Sequence, residues 1–96
     1  MNLTRPFDRQ DVLDLNQTKQ PFRDSTCHYC MCRRVQSVAV IDGREYVTIS
    51  REYYNGMKPG TQMPMEDAVR HLNEDTRLEF LTSYRVAGSG PLEGWK

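Results

Sequence analysis

The sequence lacks the features that would assign it quickly to a class. No apolar run approaches the ~18 residues that span a bilayer, and the N-terminus MNLTRPFDRQDVLDL has no apolar signal core. No phosphate-binding loop, catalytic carboxylate pair or nucleophile with its base stands at a recognised spacing. The 13 basic and 13 acidic residues give no net charge, which removes the attraction that drives non-specific nucleic-acid binding. We therefore expect a soluble, cytoplasmic protein that is not an enzyme and does not bind membranes.

The chain is short, and its 96 residues predict one folding unit with a modest core. A chain of this length buries only about 60 to 65% of its unfolded surface. Apolar residues make up 38% of the sequence and charged residues 27%, so the core is thin for a monomer. A metal, a protein partner or a homodimer would supply the missing stability.

Cysteine is scarce but clustered. All three cysteines fall within the six residues Cys27-His28-Tyr29-Cys30-Met31-Cys32, and such an odd, clustered set indicates a reducing compartment. Cys27 and Cys30 have the spacing with which two thiolates hold one zinc ion. Because the sequence has no second Cys-x-x-Cys, the candidates for the remaining ligands of a zinc site are Cys32, His28 and the distant His71. The predicted site combines Cys27 and Cys30 with Cys32 and His71.

Two other interpretations of the cysteines stay open. They are free thiols, partly buried as small hydrophobic residues, or they form a redox dithiol. The redox pair lacks its usual context, since a thioredoxin-type pair opens a helix after a strand, whereas this pair precedes a predicted hairpin. His71 has a corresponding alternative as a boundary histidine on a helix, without a ligand role.

A local basic patch surrounds the cluster. Residues 19–34 carry four basic side chains against a single acidic one. In a zinc-ribbon-like nucleic-acid-binding protein, Arg23, Arg33 and Arg34 would contact phosphates and Tyr29 would stack on a base. The alternative is that the arginines only solvate the start of a strand.

Hydrophobic patterning predicts an α+β fold. Residues 34–50 place β-branched runs on both sides of Asp42-Gly43, a dipeptide typical of tight hairpin turns. Residues 51–64 contain two glycines and two prolines and are predicted as a loop. An amphipathic helix follows from Met65, and a second short helix is predicted around Leu78 and Leu81.

Residues 1–26 are predicted as an irregular N-terminal arm, and residues 27–96 as a single small α+β domain. The arm contains one helical signal over residues 8–15, which Asp8 or Asp11 would cap. Its apolar residues, Phe7, Leu15 and Phe22 among them, would pack across the domain or mediate a dimer.

The second part of the chain resembles a group of small, functionally uncharacterised proteins common in bacteriophages and prophages. That group shows Cys-x-x-Cys, a β-hairpin, an aromatic and glycine segment, a helical segment with a Glu-Phe-Leu-x-Ser phrase, and a Cys-Pro-x-Cys-Trp tail. The comparable segments here are Cys27-His28-Tyr29-Cys30, the hairpin at Asp42-Gly43, Tyr53-Tyr54-Asn55-Gly56, residues 65–75 and Glu79-Phe80-Leu81-Thr82-Ser83.

The tail departs from the pattern of that group. Residues 90–95 read Gly-Pro-Leu-Glu-Gly-Trp, so proline and tryptophan are kept while Gly90 and Gly94 stand where the second cysteine pair would be. The resemblance implies a zinc-ribbon-like β-hairpin packed on one or two short helices, and only Cys27 and Cys30 carry over as zinc ligands.

The function implied is that of a small phage-type accessory protein that binds a host or phage protein. Such a protein would act without catalysis, for example by inhibiting a host defence or transcription component. The alternative is the zinc-ribbon-like nucleic-acid-binding protein described above. The two differ in partner and in salt dependence, because binding through phosphate contacts weakens steeply as salt rises.

Overall fold

A computed structural model describes residues 5–28 and 31–81. These residues form a small α+β fold with two helices and a mostly antiparallel arrangement of six strands, which confirms the predicted fold class. The zinc-ribbon-like part of that prediction stays a prediction. In chain order the elements are α1 (Arg9–Thr18), β1 (Phe22–Arg23), β2 (Met31–Cys32), β3 (Val35–Ile41), β4 (Arg44–Tyr53), β5 (Gly56–Pro64), α2 (Met65–Glu74) and β6 (Glu79–Phe80).

The central strand of the main sheet is β4, which pairs antiparallel with β2, β3 and β5. The predicted hairpin is confirmed, since β3 and β4 are joined at Asp42 and Gly43 with φ angles of 51° and 78°. Both values lie in the left-handed region that a two-residue hairpin turn requires. The apolar residues of β3 and β4 meet in register, with Val38 opposite Val47.

The predicted loop over residues 51–64 is wrong, because most of this segment is strand. The strand β4 continues to Tyr53, and after a turn the chain returns along β4 as β5. Gly56 has a φ of 151°, which suits glycine at the start of this return. Pro59 is tolerated because, within the described chain, β5 pairs only with β4 and forms an edge of the sheet.

The helix α1 confirms the short helix predicted near residues 8–15. Asp8 is its N-cap, and its side chain accepts a hydrogen bond from the backbone N–H of Asp11 at 3.1 Å. The Asp11 carboxylate accepts in return from the N–H of Asp8 at 2.9 Å, which completes a capping box. Arg5 donates two hydrogen bonds to Asp11, and this pairing compensates the burial of its charge.

The helix predicted from Met65 is confirmed as α2, but the second helix predicted around Leu78 and Leu81 is wrong. Instead, β6 pairs antiparallel with β1, with Phe22 opposite Phe80. The rings of these two phenylalanines lie 6.0 Å apart, a distance typical of packed aromatic pairs. This long-range pairing overrides the local helical pattern.

The larger hydrophobic cluster of the described residues joins both helices to the sheet. Val12, Leu15 and Phe22 are buried with Val47 and Ile49, so the segment predicted as an arm belongs to the same core as the strands. The other buried members are Val35, Met65, Ala68 and Leu72. No helix in the described part of the chain is long and apolar enough to cross a membrane.

Candidate functional site

The connection that leaves β1 lies against the C-terminal end of α2. The strand β1 is fixed by its pairing with β6 and by a bridge between Phe22 and Arg33, so the residue that follows it, Asp24, has a defined position. Asp24 is only 5% exposed, which is unusual for a carboxylate and requires polar partners. From α2, His71 in the last turn and Asp75 at the C-cap approach the same region.

Both oxygens of the Asp24 carboxylate accept hydrogen bonds. Oδ2 lies 2.7 Å from Nε2 of His71. Oδ1 accepts from the backbone N–H of Thr26 at 2.9 Å and from the Thr26 hydroxyl. Oδ1 also lies 3.5 Å from Sγ of Cys27. The buried carboxylate is therefore bonded from two separate segments of the chain.

These contacts set the protonation of the pair. Burial by itself would raise the pKa of Asp24, but the hydrogen bonds from His71 and Thr26 outweigh it and hold this pKa well below its usual range. The hydrogen bond to Asp24 raises the pKa of His71 above its ordinary value, and this effect exceeds the opposing effect of burial. The pair thus favours the ionised carboxylate and the protonated imidazole.

Asp75 makes a second connection between α2 and the segment after β1. Its carboxylate accepts from the Ser25 hydroxyl at 2.6 Å and from the backbone N–H groups of Ser25 and Arg77. Burial works to raise the pKa of Asp75, yet the hydrogen bonds from Ser25 and Arg77 lower it overall. Its carboxylate is consequently ionised at neutral pH.

Asp24, His71 and Asp75 form a group of possible metal ligands, with one ligand atom from each residue within 4.8 Å of the others. Over residues 5–28 and 31–81, no cysteine belongs to such a group of three or more ligating side chains. His71, a predicted ligand, therefore lies among carboxylates.

The predicted cysteine ligands have different surroundings. Cys27 is half-buried beside Asp24, and burial raises the pKa of its thiol to about 11. Cys32 is fully buried and packs with Met31 and Leu81 in a second apolar cluster. Cys30 lies outside the described residues, as do Gly90 and Gly94. The four-ligand zinc site stays a prediction.

Arg33, a predicted nucleic-acid contact, is 5% exposed and points into the protein. Its guanidinium donates to the backbone carbonyls of Ser50 and Ile49 at 2.9 and 3.2 Å and to the hydroxyls of Thr26 and Thr61 at 3.0 Å each. Arg33 thus connects the segment after β1 to β4 and β5, and its donors are used inside the protein.

The other residues predicted to contact nucleic acid have different surroundings. Arg34 is partly buried and pairs with Glu52, while its Nε donates to the carbonyl of Lys19 at 2.9 Å. Arg23 lies half-buried in β1, opposite Glu79. Tyr29 lies outside the described residues. Arg33 and Arg34 therefore make structural contacts at the place where the sequence indicates a basic patch.

Asp24 and Asp75 were not among the site residues predicted from the sequence. One signal was available, since His71 and Asp75 are four residues apart and such residues share a helix face. Asp24 carried a weaker signal as the sole acidic residue of the basic stretch. Nothing local indicates that this residue meets α2.

Comparisons with protein-family models, with curated proteins and with solved structures gave no match. The resemblance to phage proteins accordingly stays a prediction.

Proposed function

We propose that this protein acts as a protein-binding module and that the edge of β3 accepts an extended segment of its partner. The observation that carries the proposal is the exposure of Val40 and Ile41, at 67% and 45%, on an edge strand. Neighbouring residues of a strand point to opposite faces, so these two side chains offer apolar surface on both sides of the edge.

The two edges of the sheet differ in a way that favours β3. Exposed edge strands are normally protected by charge, proline or irregularity, because their backbone groups would otherwise pair with another chain. The edge strand β5 carries Lys58, Pro59 and Gly60. The strand β3, with the sequence VQSVAVI, has neither charge nor proline and in the described chain pairs only with β4.

Part of the β3 edge is already covered from within the protein. The ammonium group of Lys19 donates to the carbonyls of Gln36 at 2.7 Å and Val35 at 3.4 Å. The surface proposed for the partner is therefore residues 37–41. Strand addition to such an edge draws its affinity from backbone hydrogen bonds and its specificity from the side chains on either face.

The partner is a protein with an extended apolar segment. For its identity we keep the role predicted from the sequence, in which a phage-type accessory protein binds a host defence or transcription component. The nucleic-acid alternative draws no support from Arg33, because the donors of this side chain are used inside the protein.

The test is photo-crosslinking from the β3 edge. A photoreactive residue at Val40 should capture a partner from bacterial lysate, whereas the same residue at Met57, which is 56% exposed on β5, should not. With the captured partner purified, Val40→Lys should weaken binding at least about tenfold while Met57→Lys leaves it unchanged. Equal capture from both positions, or capture of only a second copy of this chain, would refute the proposal.

A further inference from the structure

We propose that Asp24, His71 and Asp75 bind a divalent transition-metal ion of the zinc class, at a site distinct from the cysteine site that the sequence predicts. The three ligand atoms lie within 4.8 Å of one another, a separation that one ion can bridge. This inference does not rest on the proposed protein binding, and the two are tested separately.

The donor set indicates the class of metal. Calcium and magnesium select sites made of oxygen, whereas an imidazole nitrogen combined with carboxylate oxygens suits zinc, cobalt, nickel and manganese. Two aspartates and one histidine supply three protein ligands and leave a coordination position for water or another group. We propose zinc as the ion and use cobalt as its spectroscopic substitute in the test.

The residues around the ligands hold them in place. Thr26 donates to Oδ1 of Asp24, and Ser25 and Arg77 donate to Asp75, so both carboxylates are oriented by neighbours that are not ligands themselves. Metal sites depend on such outer contacts to fix the ligand geometry. The ligands themselves come from two parts of the chain: Asp24 from the segment after β1, and His71 and Asp75 from the C-terminal end of α2. A bound ion would therefore connect these two parts.

The site offers access from solvent, and its histidine must lose a proton before it binds a metal ion. The side chain of Asp24 is fully buried, but that of His71 is 24% exposed, which gives an ion a route to the group. Because an ionised carboxylate can only accept a hydrogen bond, the proton in the contact between His71 and Asp24 is assigned to Nε2 of His71. The metal would take the Nε2 lone pair, and this proton would pass to solvent.

The experiment is a cobalt titration of the full chain after chelator treatment. We expect one cobalt per chain, visible absorption bands without a thiolate charge-transfer band, and displacement by zinc. Asp75→Asn and His71→Asn should each lower the affinity at least about tenfold. The matched controls are Asp67→Asn, a partly exposed carboxylate in the first turn of the same helix, and His28→Asn, an exposed histidine outside the group; both should bind as the wild type does.

Three outcomes would overturn the inference. They are no cobalt binding at millimolar concentration, a thiolate charge-transfer band that Cys27→Ser abolishes, and unchanged affinity in folded His71→Asn and Asp75→Asn. If either variant fails to fold by circular dichroism, paramagnetic broadening of the wild-type NMR spectrum decides the question. Broadening centred on residues 24–26 and 71–75 supports the site, and broadening centred elsewhere refutes it.

Discussion

Nε2 of His71 lies 2.7 Å from Oδ2 of Asp24, although the two residues are 47 positions apart in the sequence. This contact ties the last turn of α2 to the segment after β1. Ser25 and Asp75 make a second tie between the same two segments at 2.6 Å. Because both ties involve ionised carboxylates, the stability of this region depends on pH and on the integrity of each partner.

The first prediction concerns the pH dependence that His71 confers. Its pKa is raised in the folded state, mainly by the hydrogen bond to Asp24, so its stabilising contribution is complete below about pH 6.5 and is lost as the pH rises through the folded pKa. The pKa of Asp24 is lowered, so its contribution is present above about pH 4 and is lost as the pH falls through the folded pKa. In chelator, the pair stabilises the fold most between these limits.

Urea unfolding of His71→Asn provides the measurement. At about pH 6 the variant should lose about 2 kcal/mol of unfolding free energy, the value typical of a hydrogen bond to a charged group. The decline of wild-type stability from about pH 6 to pH 9 should be smaller in the variant. His28→Asn should keep the wild-type profile. Parallel profiles for wild type and His71→Asn would contradict the assignment.

The second prediction separates a structural role of Arg33 from a nucleic-acid role. Replacing Arg33 with Leu removes donors from the buried carbonyls of Ile49 and Ser50, and each unsatisfied buried group carries a desolvation cost. We expect a loss of about 3 kcal/mol of unfolding free energy. Arg70→Ala, an exposed arginine on α2, should change it by less than about 0.5 kcal/mol.

Arg33→Leu also bears on the nucleic-acid alternative. A stable variant that loses a salt-sensitive gel shift with single- or double-stranded DNA or RNA would favour a phosphate contact over the internal role. If Arg33→Leu is destabilised, and the wild type itself gives no gel shift at low salt, the internal hydrogen bonds of Arg33 are sufficient to explain its role.

Local features of the fold could be predicted from the sequence because they depend on neighbouring residues. The turn at Asp42-Gly43 requires only residues that adopt positive φ, and the start of α1 requires only the side chain of Asp8. The strands β5 and β6 could not be predicted in this way, since their residues become strand through pairing with β4 and β1.

The candidate site was predictable only in part for the same reason. His71 stands out because histidine is rare in this chain and ligates metals, whereas Asp24 and Asp75 are two of thirteen acidic residues. Their convergence follows from the packing of α2 against the segment after β1. Likewise, the sequence placed Arg33 in a basic patch but contained no sign that its donors face inward.

The third prediction concerns the close approach of β5 to β4. A Cβ at Gly60 would lie 2.5 Å from the carbonyl oxygen of Ile49, which is backbone and cannot turn aside. Gly60→Ala should therefore force the strands apart near the irregularity between Ile49 and Arg51, at a cost of about 1 to 3 kcal/mol. Thermal unfolding measures this loss, and Gln62→Ala, an exposed position on the same strand, serves as the control. Equal melting temperatures for Gly60→Ala and the wild type would show that the strands separate without cost.

The last prediction concerns the reactivity of Cys27. Burial raises the pKa of this thiol to about 11, so only a small fraction is thiolate at neutral pH. In a Cys30→Ser variant, the rate of iodoacetamide alkylation at Cys27 should still be rising above about pH 9, whereas in urea it should level off near the ordinary thiol pKa of about 8.5. Cys32, which is fully buried, should react only when the chain unfolds. Tandem mass spectrometry distinguishes the two positions. If alkylation of Cys27 in the folded protein levelled off near pH 8.5, the thiol would be an available metal ligand. That result would favour the zinc site predicted at the cysteines over the site proposed at Asp24, His71 and Asp75.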